Sequence, residues 1–93
     1  SKMTDEKVIE IIDTSLANEF ELDIEMMVPD ALLYEDLGLD SLDRVDTVIL
    51  LEQAFKFKIR EEEEIRKIRT LGDIHVFVIN RIHNLRETEG DIT

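Results

Sequence analysis

The stretch Glu35-Asp36-Leu37-Gly38-Leu39-Asp40-Ser41-Leu42-Asp43 decides how this chain is read. Asp40 has the short acceptor side chain that caps a helix N-terminus, and Asp43, three residues on, is an acidic partner for the first turn. A helix is therefore expected to begin at Ser41 and run to about Phe55. Val48, Leu51 and Phe55 form one apolar stripe along it. Leu42, Val45 and Ile49 form a second, rotated by roughly a quarter turn or more at about 100° per residue. A surface helix in a small domain needs only one such stripe. Asp46 and Glu52 flank the Leu42/Val45/Ile49 strip as a polar rim flanks an interface core, which favours presentation to a partner over a helix buried all round.

Upstream, Thr4 is placed to cap a first helix, Asp5 and Glu6 suit its positive end, and Met3 and Val8 sit at hydrophobic-staple positions. Val8, Ile11, Ile12, Leu16 and Phe20 follow at spacings of three and four, which predicts a helix to about Glu21. From Leu22 to Asp40 the periodicity dissolves, and Pro29-Asp30 reads as a turn. Apolar residues persist through this loop, from Met26 to Leu37, so it is expected to pack over the core. Loops of this length are often functional, and this one ends at Ser41.

Downstream, Glu61-Glu62-Glu63-Glu64 precedes Arg66, Lys67 and Arg69. Acids first and bases last complement a helix dipole, so a short helix packed through Ile65 and Ile68 is expected. Thr70 and Asp73 form another capping pair, followed by Leu71, Ile74, Val78 and Ile82 on one face of a last helix. Val76-Phe77-Val78-Ile79 has strand propensity, which the helical spacing around it outweighs. The expected organisation is one all-α domain over residues 1–93, with its core at about 4–85 and a flexible tail over 86–93.

Composition narrows the function. The net charge of −12 disfavours nucleic acid and anionic membrane surfaces, and favours partners with basic patches. No apolar run reaches the roughly 18 residues of a membrane span, and no signal peptide is visible, so a cytoplasmic, monomeric protein is expected. With no cysteine there is neither a disulfide framework nor a thiolate metal site. Catalysis is not expected either. A hydrolytic serine needs a base, the two histidines, His75 and His83, both lie on the last helix, and no nucleophile-elbow pattern surrounds Ser41. Asp36, Asp40 and Asp43 lack the ligand spacing of a calcium loop, and the glutamate run reads as a solvated face, so no metal site is expected.

Asp40-Ser41-Leu42 alone is a common capping string. Set between the apolar-studded loop and the two-striped helix, the nine-residue motif closely resembles that of the acyl carrier protein family, over roughly Val8 to Ile79. The resemblance implies a four-helix bundle with a long first loop and a short third helix. It implies 4'-phosphopantetheine, derived from coenzyme A, on Ser41, carrying acyl groups as thioesters for fatty-acid, polyketide or related lipid biosynthesis. It implies that Asp40 and Asp43 help recruit a phosphopantetheinyl transferase. Leu42, Val45, Asp46, Ile49 and Glu52 map onto the family's face for acyl-processing enzymes. A helix N-terminus is a physically sensible place for the arm's phosphate, and the acids at 36, 40 and 43 would keep an anionic arm off their own surface. Leu33, Arg44, Thr47 and Arg60 depart from the family's pattern and point toward a specialised carrier. An unmodified acidic adaptor, or a structural subunit, that binds a basic partner through the second helix is the alternative.

Overall fold

The computed structural model describes residues 3–59 and 65–92. Helix α1 spans Asp5–Phe20, α2 spans Ser41–Phe55 and α3 spans Leu71–Ile92, with one turn of tighter helix at Ile24–Met26. Among the described residues there are thus three long helices where four helices were expected. Of the short helix expected over Glu61 to Arg69, residues 61–64 lie outside the described residues, as does Arg60. Of that segment Ile65 and Arg66 are helical, closed by the Ile68 amide donating to the Ile65 carbonyl at 3.1 Å.

Each helix starts where its capping residues require. The Thr4 hydroxyl accepts from the Lys7 amide at 3.1 Å, which satisfies one of the donors a helix start leaves open. α1 stops at Phe20 because Glu21 turns left-handed, at φ 53°, one residue short of the expected end. At the start of α3 the Asp73 carboxylate accepts from the amides of Arg69 (2.9 Å) and Thr70 (3.1 Å), and the Thr70 hydroxyl accepts from the Asp73 amide at 3.1 Å. The backbone of α3 continues helical to Ile92, through the residues expected to form a flexible tail. Val76 to Ile79 lies inside this helix, with Ile74 and Val78 buried and Val76 exposed, as a period of 3.6 demands.

α1 packs on both α2 and α3 and so forms the middle of the molecule. Val8, Ile12 and Leu16 of α1 meet Leu51 of α2 and Leu71, Ile74 and Val78 of α3 in one core. The long loop closes this core, with Met27, Ala31, Leu33, Leu37 and Leu39 buried. Main-chain bonds hold it in place. Leu33 donates to the Arg69 carbonyl (2.9 Å), Leu71 to Ala31 (3.0 Å) and Gly72 to Pro29 (2.8 Å). Gly72 suits the close Pro29 contact, since a Cβ there would lie 3.0 Å from the Pro29 carbonyl oxygen and crowd it.

Two outcomes follow from this packing. Ile12→Ala, at a position with no exposed surface, should cost about 2–5 kcal/mol in urea unfolding, whereas Leu42→Ala should stay within about 0.5 kcal/mol. The backbone amides of Arg69 and Thr70 hold the Asp73 carboxyl below the usual carboxylate range. A lowered pKa in the folded state stabilises the fold above the unfolded value, and that stability is lost as pH falls through the folded value. The stability difference between the wild type and Asp73→Asn should therefore shrink as acid is added below about pH 4, measured by denaturation at a series of pH values.

Candidate functional site

The nine-residue motif forms a hydrogen-bonded platform that presents one exposed serine. Asp36 accepts from the Leu32 amide at 2.8 Å and closes the turn that leads into the motif. Gly38 takes φ 72°, a left-handed conformation that disfavours a side chain, while its amide donates to Tyr34 at 2.9 Å. That reversal sends both Leu37 and Leu39 into the core. Next comes a reciprocal cap. The Asp43 amide donates to Asp40 at 3.0 Å, and the Asp40 amide donates to Asp43 at 3.2 Å. Ser41 is the first residue of α2 and is exposed, while Leu39, two residues before it, is buried.

The second stripe of α2 lies in solvent. Leu42 is 76% exposed, Val45 58% and Ile49 46%, with Asp46 exposed beside them. Large apolar side chains grouped this way on a small acidic protein are suited to a partner surface. Glu52 is used differently from Asp46. It is half-buried, and its carboxylate accepts from the Ile59 amide at 2.8 Å, which ties down the turn after α2. Glu52 is thus a structural member of the strip's rim.

Two polar residues of α2 turn inward. The Arg44 guanidinium donates to the Ile65 carbonyl at 3.2 Å and to the Ile68 carbonyl. The Thr47 hydroxyl is buried and donates to the Asp43 carbonyl at 2.9 Å. Both border an apolar cavity of about 30 Å³ between α2, α3 and Ile65–Ile68, with Leu33, Leu51 and Phe77 among its walls. The sequence marked Arg44 and Thr47 only as departures. The overlooked signal was spacing, since residues 44, 48, 51 and 55 form one helical row, so Arg44 begins the inward stripe.

Neither histidine serves Ser41. His75 is buried on α3 and pairs with Asp13 of α1 at 2.7 Å; His83 pairs with Asp5 at 3.2 Å. Both pairs tie α3 to α1. Among the described residues no three His, Asp or Glu side chains gather to hold a metal ion, and no helix is long and apolar enough to cross a membrane.

A family profile described as "Phosphopantetheine attachment site" matches residues 10–74, most of the chain. The chain is 34% identical over 80 residues to the acyl carrier protein of Thermosynechococcus vestitus, covering 86% of this chain and 98% of that one. It is 43% identical over 68 residues to the acyl carrier protein of Syntrophobacter fumaroxidans, covering 73% and 78%. It is also 36% identical over 72 residues to acyl carrier protein 2 of Ralstonia nicotianae, covering 77% and 88%. The chain belongs to the acyl carrier protein family.

Members of this family are carriers and not catalysts, and phosphopantetheine is their prosthetic group. The residues present here fit that group. An exposed serine hydroxyl at the first position of a capped helix leaves room for a phosphodiester, and the helix dipole favours its charge.

Arg44 holds Ile65–Ile68 against α2. Arg44→Met should speed amide hydrogen exchange around Ile68 about tenfold or more, the loss of roughly 1.5–3 kcal/mol expected for charged hydrogen bonds. The amides of Ile12 and Leu16 in α1 should exchange much less differently.

Proposed function

We propose that this chain is an acyl carrier whose Ser41 Oγ holds 4'-phosphopantetheine in phosphodiester linkage. The arm's thiol, once bound, would carry acyl groups as thioesters for enzymes of fatty-acid, polyketide or related lipid biosynthesis. The observation that carries this reading is the exposed Ser41 hydroxyl on the Gly38–Asp43 platform. The chain's own residues have three tasks. The Asp40–Asp43 cap fixes the orientation of the serine. Those two acids, exposed or half-buried beside it, offer negative charge to a transferase. Leu42, Val45 and Ile49, with Asp46, form the docking strip for the transferase and for acyl-processing enzymes with basic patches. An unmodified adaptor would use the same strip, so the state of Ser41 separates the two readings.

Incubation with coenzyme A and a broad-specificity phosphopantetheinyl transferase should add the mass of one phosphopantetheinyl group to the wild type and nothing to Ser41→Ala. No gain on the wild type, or an equal gain on the variant, would refute the carrier reading. Asp46→Lys should slow association with that transferase by roughly two- to tenfold at low salt, an effect that fades as ionic strength rises. Glu52 is left unchanged in this test because its carboxylate holds the Ile59 amide.

A further inference from the structure

We propose that Asp73, in the first turn of α3, is a positioning residue for Ser41 and acts on it through the main chain of Arg69, Leu33 and Leu39. The proposal rests on the carrier reading and adds to it a residue outside the attachment motif on which loading of the serine depends.

The path is a run of hydrogen bonds. One oxygen of the Asp73 carboxylate accepts from the amides of Arg69 (2.9 Å) and Thr70 (3.1 Å). The Thr70 N–H and the Arg69 C=O belong to the same planar peptide group, so holding the first aims the second. That carbonyl accepts from the Leu33 amide at 2.9 Å, and the Leu33 carbonyl accepts from the Leu39 amide at 2.8 Å. After Leu39 comes Asp40, which exchanges bonds with Asp43 across the first turn that Ser41 begins. Charge strengthens the run. The two amides hold the Asp73 carboxyl below the usual carboxylate range, so it is ionised at neutral pH. A carboxylate at the N–H end of a peptide group polarises it and makes its C=O end the better acceptor.

The turn before Ser41 needs an anchor of this kind. Its internal bonds, from the Leu32 amide to Asp36 and from the Gly38 amide to Tyr34, give it a shape. They do not fix its place against the helices. That place comes from the bonds to the start of α3, where Leu33 meets Arg69, Leu71 meets Ala31 and Gly72 meets Pro29. The first of these is the one nearest Ser41 in the chain, and it is the one whose carbonyl Asp73 aims. Loss of the carboxylate should therefore loosen residues 33–39 and, with them, the serine, while the exposed apolar strip of α2 stays intact.

The test combines amide hydrogen exchange of the unmodified protein with the kinetics of Ser41 loading, in the wild type, Asp73→Ala and Asp73→Asn. Thr4→Ala, which removes a cap from α1 instead, serves as the comparison. Asp73→Ala should speed exchange of the Leu33 and Leu39 amides about fivefold or more, and Thr4→Ala by less than about twofold. Asp73→Asn, which keeps an acceptor but not the charge, should fall between them. With coenzyme A in excess and the phosphopantetheinyl transferase, Asp73→Ala should lower kcat about threefold or more and leave KM for the carrier within about twofold. Faster exchange confined to Arg69 and Thr70 would make Asp73 a cap of α3 alone and overturn the proposal. An equal effect of Thr4→Ala, or an unchanged kcat, overturns it as well. If Asp73→Ala does not fold by circular dichroism, Asp73→Asn decides on the same comparisons. Intact mass first establishes that the wild type is loaded. Failure there counts against the carrier reading alone, and exchange at Leu33 and Leu39 then decides this one.

Discussion

The short main-chain pairing between residues 29–33 and 69–72 is the constraint on which the rest of the molecule depends. It is made of backbone amides and carbonyls, with Leu32 and Thr70 bridged in antiparallel sense. A loop that buries five apolar side chains must also satisfy its polar backbone. This pairing does so, and it fixes the loop to the start of α3. Once Leu33 is anchored, Leu39 donates to its carbonyl at 2.8 Å, and the chain arrives at Asp40 in one defined position. The placement of Ser41 is therefore inherited from the far end of the sequence.

Charge on this carrier is arranged in layers. Acids at helix starts do conformational work: Asp40 with Asp43, and Asp73 with Thr70, each satisfy amides that would otherwise lack partners. Asp13 and Asp5 meet the histidines of α3 and join the two helices of the main packing contact. Asp46 is left on the surface next to apolar Val45 and Ile49. A negative net charge thus includes several carboxylates with structural partners and one beside the exposed apolar strip of α2.

Much of this was legible in the residues. Thr4, Asp40 with Asp43, and Thr70 with Asp73 marked the helix starts, because capping is a local interaction whose partners lie three residues apart. The exposed strip on α2 was legible as a surplus of apolar positions for a helix of this size. Glu52 and Arg44 were not assigned to their contacts. The first was read as an interface rim from its place beside Ile49, yet it binds the Ile59 amide seven residues on. The second was read as a departure from the family's pattern, yet it binds carbonyls more than twenty residues away. Long flexible side chains choose partners by what the fold brings within reach.

The amino-acid order therefore settled the features that depend on near neighbours: helix starts, the absence of thiol chemistry and the attachment-type motif around Ser41. Their causes are steric and electrostatic effects that act within a turn or two of the chain. Tertiary structure alone decided that Glu52 and Asp46, on the same helix, have different surroundings. It decided that His75 meets Asp13 from the other end of the chain. It also placed three arginines, scattered from 44 to 69, around one groove. These are contacts across long sequence separations, selected by the packing of α1 between α2 and α3, and no local pattern encodes them.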